Sequence, residues 1–382
     1  MIRAGDEGAQ KSLLRGAATL DSELVHLVHL RLRDFRNYAR LDADFPPGFH
    51  LLLGDNAQGK TNILEAIYLL ATLRSFRGVA GGQMVRHGQK GYFVSATVSS
   101  SAEREIKIYW STAQRKLSLD GQPVRKMGDY LGVVRAVVFC TEDLQLIKGV
   151  ARLRRRFLDL LLAHTHTIYL PLLQRYARAV RSRNALLRQP YPDDATLDGF
   201  THELVESGAQ IMSFRRELLP RLAELTQSAY ARVARSSEPL ELEYQPSVKH
   251  DFAVELARNR ARERAFRATL IGPHRDELQL RLDGKSAAKF ASEGQKRSIA
   301  IALKLAQAEY LTDIHGVPPI LLIDDVMGEL DAKRRAAFLP LLNRVQHARS
   351  QVFMTCTEEN WPQELGRGLH RWQINAGQLK RG

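Results

Sequence analysis

"HLLLGDNAQGKTNILEAIYLLATL", residues 50–73, sets the fold class before any other part of the chain is read. Gly54, Gly59, Lys60 and Thr61 stand at the fixed positions of G-x-x-x-x-G-K-[ST], the loop that wraps nucleotide phosphates. "HLLL" ahead of it reads as a buried strand, and Ile63, Ile67 and Leu70 behind it recur at helical spacing. In a strand–loop–helix context the backbone N–H groups and the positive helix end face an anion. Lys60 then reaches the terminal phosphates of a nucleotide triphosphate, and Thr61 ligates Mg²⁺.

Such a loop needs a partner carboxylate at the end of a buried strand. "PPILLIDDVMGELD", 318–331, supplies it. Asp324 is the expected Mg²⁺ ligand, and Asp325 is placed to orient or deprotonate the attacking water. Two adjacent like charges at a strand end are otherwise costly to keep.

Outward from these motifs, "LVHLRLRDF" (27–35) and "RLDADF" (40–45) alternate apolar and polar residues, as half-buried strands do. "YFVSATV", "EIKIYW", "KLSLDGQPV" with its Asp120-Gly121 turn, and "VRAVVF" (134–139) follow as strands. From Gly149 to about Tyr230 the pattern is helical, interrupted by "RQPYPDDAT" (188–196), and each run is expected to span a handful of turns. Strands return at "LELEYQP" (240–246) and "ELQLRLDGK", then a helix at "ASEGQKRSIAIALKLAQAEYL" (291–311) and a buried strand at "QVFMTCT" (351–357). The expected organisation is a disordered extension over 1–23, a first ATPase part over 24–148, an inserted helical lobe over 149–235, and a second ATPase part over 236–382.

"SEGQ" at the head of a long helix resembles the signature motif of ABC-type ATPases. Ser292 and the N–H groups of Glu293 and Gly294 would form a second anion site, completing the ATP pocket of another protomer. The order of loop, "SEGQ", "ILLIDD", "GELD" and a strand ending at the switch position Thr355 is more specific than any one piece. With "LRDFRNY", "VVFCTEDLQLIKG", "RRRFLD", "IGPHRDE" and "SEGQKRS" added, the series resembles that of the RecF family, from about residue 24 to the end.

That resemblance implies an α/β fold, an ABC-type ATPase head with a mixed β-sheet and a P-loop helix, carrying an inserted helical lobe. It implies an ATP-driven homodimer with slow hydrolysis, binding DNA at single-strand/double-strand gaps and working with RecR and RecO to load RecA. Matched positions make Gly54, Asn56, Gly59, Lys60, Thr61 and Asn62 nucleotide contacts, Asp324 and Asp325 the Walker B pair, and Ser292, Gly294 and Gln295 the signature. Arg36 is a candidate nucleotide contact and Gln145 a candidate Q-loop residue, with Glu142 and Asp143 nearby. Glu329 to Asp331 would face the partner protomer. Gly328 and Cys356 depart from the family pattern without removing a phosphate ligand.

Net charge is +14 with a pI near 9.9, which favours a polyanionic partner. Between Lys148 and Arg188 stand ten Lys or Arg against one acidic residue, Asp159. Arg152, Arg154, Arg155, Arg178, Arg181 and Arg183 are the candidate DNA contacts, and "RNRARERAFR" (258–267) is a second cluster. "RRRFLD" could instead pair Arg155 with Asp159 at i,i+4. His274, Asp276 and Glu277 lack metal spacing and read as structural, and His164 and His166 as helix-surface residues. Two isolated cysteines, Cys140 and Cys356, and no membrane-length apolar run point to a cytoplasmic protein without a membrane partner. An SMC-like rod would need far longer heptad runs. A soluble ABC-type ATPase acting on a protein or membrane surface stays open as the alternative.

Overall fold

The computed structural model describes residues 26–99, 102–330, 334–336, 338, 351–357 and 369–382. The expected extension over 1–23 lies outside them.

A six-stranded sheet lies at the centre, in the order β15 (Gln378–Arg381), β14 (His370–Asn375), β3 (Phe49–Leu53), β13 (Val352–Cys356), β12 (Ile320–Asp324) and β8 (Ala136–Phe139). All neighbours are parallel except β15, which hairpins back on β14. Strands β3, β13 and β12 are apolar at most positions because both faces are covered, with His50, Thr355 and Asp324 as the polar exceptions. Leu51, Val137, Phe139, Leu321, Ile323, Val352 and Met354 face one core, while Leu52, Val138, Leu322 and Phe353 face the other. Truncating any of these to Ala would cost about 2–5 kcal/mol in lost transfer and cavity terms.

On one face lies α1 (Lys60–Thr72), sandwiched between the central sheet and an antiparallel sheet of order β2-β1-β4-β5-β6-β7. That sheet comprises β1 (His26–Phe35), β2 (Tyr38–Asp44), β4 (Gly91–Ser99), β5 (Glu103–Ser111), β6 (Arg115–Leu119) and β7 (Gln122–Pro123). The sandwich explains why α1 is buried on nearly all sides rather than along one stripe.

On the other face pack the helices α2 (Ala151–Thr165), α3 (Tyr169–Leu187), α4 (Asp194–Ala234) and α6 (Glu293–His315). Between α4 and α6 run β9 (Leu240–Gln245), α5 (Phe252–Phe266), and the hairpin β10 (Glu277–Leu282) and β11 (Lys285–Ser286). The expectation of short helical runs fails at α4, which continues for 41 residues, with Pro220 inside it and Asp193 capping its start. Leu218, Leu222 and Tyr230 of α4, together with Leu305 and Leu311 of α6, belong to the core that includes the sheet. The helical segment is therefore the cover of the sheet's second face, and its core runs on past residue 235. No helix among the described residues is long and apolar enough to cross a membrane.

Candidate functional site

β3 ends at Leu53 and the chain turns through Gly54 to Gly59 into α1. Gly54 has φ 146°, and a Cβ there would lie 2.3 Å from the Ile374 carbonyl oxygen, so only glycine fits. At Gly59, with φ 117°, a Cβ would lie 2.7 Å from Asn37 Nδ2 and 2.9 Å from the Tyr38 hydroxyl. Two turns grip the loop from outside. Asn37 Nδ2 donates to the Gln58 carbonyl at 2.9 Å and the Tyr38 hydroxyl to the Gly59 carbonyl at 3.1 Å. From the β14–β15 turn, Ala376 N donates to Gln58 Oε1 at 2.6 Å and Gly377 N to the Gln58 carbonyl at 3.1 Å.

The α1 N-terminus has no side-chain cap and no acidic residue in its first turn, so its first N–H groups stay available to an anion. Lys60 Nζ donates to the carbonyls of Gly54 at 2.5 Å and Asp55 at 2.8 Å, curling the loop around its own ammonium. Burial lowers the Lys60 pKa, against the pull of Asp325, Asp324 and Asp55.

Thr61 and Asp324, 263 residues apart, meet here: Thr61 Oγ1 donates to Asp324 Oδ1 at 2.7 Å. Thr355 Oγ1 reaches the same oxygen at 3.0 Å and accepts from Asp325 N at 3.0 Å, tying the two acidic residues to the next strand. Asp325 has φ 54° and opens the single turn Val326–Glu329. Burial pushes the Asp324 carboxyl up, and the hydroxyls of Thr61 and Thr355 partly offset this. A hydroxyl and a carboxylate oxygen from facing elements are the donor set that Mg²⁺ takes beside phosphate.

Other expected residues sit differently. Asn56 is on the exposed tip of the loop, and Asn62 donates to Asn37 Oδ1 at 2.8 Å. Arg36 is directed at protein rather than at the loop. Its Nε and Nη2 donate to the two oxygens of Glu65 at 2.7 Å each, and its Nη1 to the Gln83 carbonyl at 2.8 Å. Glu65 is fully buried in α1 and also accepts from Ser75, so "FRNY" braces the loop and its helix from behind. Gln145 is exposed at the start of a one-turn helix and lines a cavity with Glu142, Arg77 and Lys304. Asp143 turns inward to cap Cys140 N, whereas the charge of Glu142 is felt at Asp324. Sequence reading missed Arg77, whose Nη1 donates to Asn62 Oδ1 at 3.3 Å and whose charge also acts on Asp324. No motif marks it.

At the head of α6, Ser292 Oγ accepts from Gln295 N, and Gln295 Oε1 accepts from Ser292 N at 2.8 Å, a capping box. Gly294 lets the Arg334 guanidinium lie close, with Nη2 2.6 Å from where a Cβ would stand. Asp331 and the side chain of Glu329 lie outside the described residues.

The arginine series splits. Arg152, Arg178 and Arg181 are exposed. Arg154 is not a free cation, since its Nε and Nη2 donate to Glu277 at 2.7 and 2.8 Å. Arg155 donates to the Asp276 carbonyl at 2.6 Å instead of pairing with Asp159, which accepts from Arg215 and Tyr169. Arg183 is 2% exposed and bound to Glu263 at 2.6 Å, so it cannot touch DNA in this fold. In the second cluster Arg260 and Arg264 pair with Asp194. Asp276 is a buried hub for Arg215, Tyr244 and Ser247 N, and His274 meets the Tyr176 hydroxyl at 2.5 Å. His164 is buried, not on the surface, near the Ala71 carbonyl; its α2 position faces the end of α1.

A P-loop on the central sheet, a carboxylate pair two strands away, a flanking antiparallel sheet and a signature helix define the head of an ABC-type ATPase. Residues 26–371 match the RecF/RecN/SMC N terminal domain. The chain is 39% identical to the DNA replication and repair protein RecF of Symbiobacterium thermophilum, over 92% of this chain and 97% of that one. It is 35% identical to that of Lactobacillus johnsonii, over 93% and 99%. The solved structure of the recombination mediator protein RecF with ATP, of the RecFOR pathway, superposes with a TM-score of 0.87 at 28% identity, covering 96% of this chain and all of that one. The Smc head domain of Pyrococcus furiosus, at TM-score 0.57 and 14% identity, shares the fold. The chain belongs to the RecF family.

Proposed function

We propose that this chain is an ATP-dependent DNA-binding protein of recombinational repair and replication-fork maintenance, acting in the cytoplasm. The observation that carries the nucleotide half is the uncapped start of α1 facing the Thr61–Asp324 pair. Gly54, Gly59 and the first N–H groups of α1 would hold the ATP phosphates, Lys60 would meet their terminal charge, and Thr61 with Asp324 would hold Mg²⁺. When bound, Mg²⁺ neutralises phosphate charge. Asp325 then orients the attacking water. It is one methylene shorter than glutamate, and its backbone is fixed by Thr355, so turnover is slow and hydrolysis serves as a release step.

The head of α6 would complete the pocket of a second copy, giving an ATP-dependent homodimer. Membership of a family whose relatives are replication and repair proteins supports DNA at single-strand/double-strand gaps as the target, with RecR and RecO as partners in loading RecA. Sedimentation of the protein with and without ATP tests the reading. Wild type is expected to dimerise only with ATP, and Lys60→Ala to stay monomeric. Hydrolysis of many ATP per second by wild type without DNA would refute the release-step role.

A further inference from the structure

Gln145 and Glu142 line a cavity of about 250 Å³ that is bounded by α1, β8, α2 and α6. It stands apart from the phosphate loop. Its α1 residue, Tyr68, is two turns beyond Lys60, about 12 Å along the helix. Two polar side chains of α6, Lys304 and Gln307, line it from one face of that helix, three residues apart. Both are buried, at 6% and 2% exposure. Gln307 Oε1 has no hydrogen-bond partner among the described residues. The Lys304 ammonium lies 3.8 Å from Asp143 Oδ1, beyond hydrogen-bond length, and 5.9 Å from the centre of the Phe157 ring. The other Asp143 oxygen is taken by Cys140 N at 2.9 Å. Buried polar groups are almost always paired. Here an amide acceptor and an ammonium donor stand side by side in a cavity wall, with their hydrogen bonds left to a guest.

The lining selects the guest. Arg77, Arg156 and Lys304 against Glu142 and Asp143 bring the wall close to charge balance, so hydrogen bonds rather than net charge set the preference. The Gln307 amide offers a donor beside its acceptor, the pair that reads a purine edge. Tyr68, Phe76 and Phe157 supply aromatic walls for a planar guest. Small-molecule pockets run from about 300 to 1,000 Å³. This one, at the small end, takes a base or nucleoside and not a polymer.

We infer that this cavity is a second, regulatory site for a purine nucleoside, with the base edge on Gln307 and Lys304. Its ligand acts on the nucleotide loop through the rim. Arg77 donates to Asn62 Oδ1 at 3.3 Å, and the charges of Arg77 and Glu142 both reach Asp324. The inference goes beyond the ATPase reading, which places one nucleotide on each chain's loop, and it needs neither DNA nor a dimer.

The test is isothermal titration calorimetry with adenosine and guanosine, which carry no phosphate, in saturating ADP to occupy the loop. Wild type is expected to bind one of them at one site per chain. Gln307→Leu, of similar volume, is expected to bind it at least tenfold more weakly with unchanged ADP affinity. Adding that nucleoside should alter ATP turnover of wild type but not of Gln307→Leu. Failure of ADP-loaded wild type to bind either nucleoside overturns the proposal without recourse to a variant. Equal binding by Gln307→Leu overturns it as well, and so does nucleoside binding that ADP abolishes, which belongs to the loop. Nucleoside binding that leaves turnover unchanged overturns the regulatory role. ADP affinity on the same samples separates the two readings: if ADP binds and neither nucleoside does, only the second site falls.

Discussion

Arg183 is where a DNA-contact reading and the structure diverge most sharply, and one substitution decides between them. Its guanidinium is 2% exposed and donates to Glu263, Thr201 and Thr269 at 2.6, 3.0 and 3.0 Å. Glu263 is fully buried on α5 and also accepts from Leu270 N at 2.8 Å. Arg183→Ala leaves that carboxylate without its counter-charge, which typically costs about 3–5 kcal/mol. An unfolding entropy of about 2.1 cal/mol/K per residue gives roughly 0.8 kcal/mol/K for a chain of this length. The melting temperature should therefore fall by about 4–6 °C in differential scanning calorimetry. Arg183→Met combined with Glu263→Leu should recover most of the loss, because it removes both charges and refills the volume. Arg183→Ala that melts like wild type yet binds DNA tenfold more weakly would refute the reasoning and restore Arg183 as a contact.

Thr355→Val removes the hydroxyl that links Asp324 to Asp325, and with it a charge-assisted bond to the Asp324 carboxylate worth about 1.5–3 kcal/mol and a neutral one from Asp325 N. ATP turnover in a phosphate-release assay should drop roughly tenfold or more with little change in ATP affinity. Arg36→Ala strands the buried Glu65 and should lower the melting temperature, while the exposed Arg178→Ala should leave it unchanged. Burial holds three histidines neutral, with pKa values of about 3 for His50, about 4 for His164 and about 4 for His274. All three lie below the ordinary 6.5, so their contribution is full above that pH and is lost as pH falls toward 4. Melting temperature should decline steeply between pH 6.5 and 4 and less so for His274→Gln. His50 reports this directly: its Nδ1 accepts from Trp372 Nε1 at 3.0 Å, so Trp372 emission should shift at acid pH.

The candidate nucleotide site was legible because its chemistry is local. Gly54 to Thr61 carry their own backbone demands, and "ILLID" ends in acid only where a buried strand can reach the loop. The strands β14 and β15 escaped notice: "HRWQIN" and "QLKR" are short and lack a continuous apolar pattern, though Ala376-Gly377 is a turn signal. Yet β14 lies beside β3 and its turn grips Gln58. The arginine run misled for a different reason. Glu277, Asp276 and Glu263, which engage Arg154, Arg155 and Arg183, stand about a hundred positions downstream, which no local charge count can see. His164 reads as polar on a basic helix, but the helix faces the end of α1 there.

The central claim is an ATP-gated dimer on DNA, and anisotropy on gapped duplex DNA at fixed moderate salt, with and without ATP, tests it most directly. Wild type is compared with Ser292→Arg, which places bulk and charge at the head of α6 while leaving Lys60 and the loop intact. The account predicts that ATP tightens wild-type binding and that the variant loses this gain while still binding ATP. Equal binding by both proteins, with or without ATP, would contradict it.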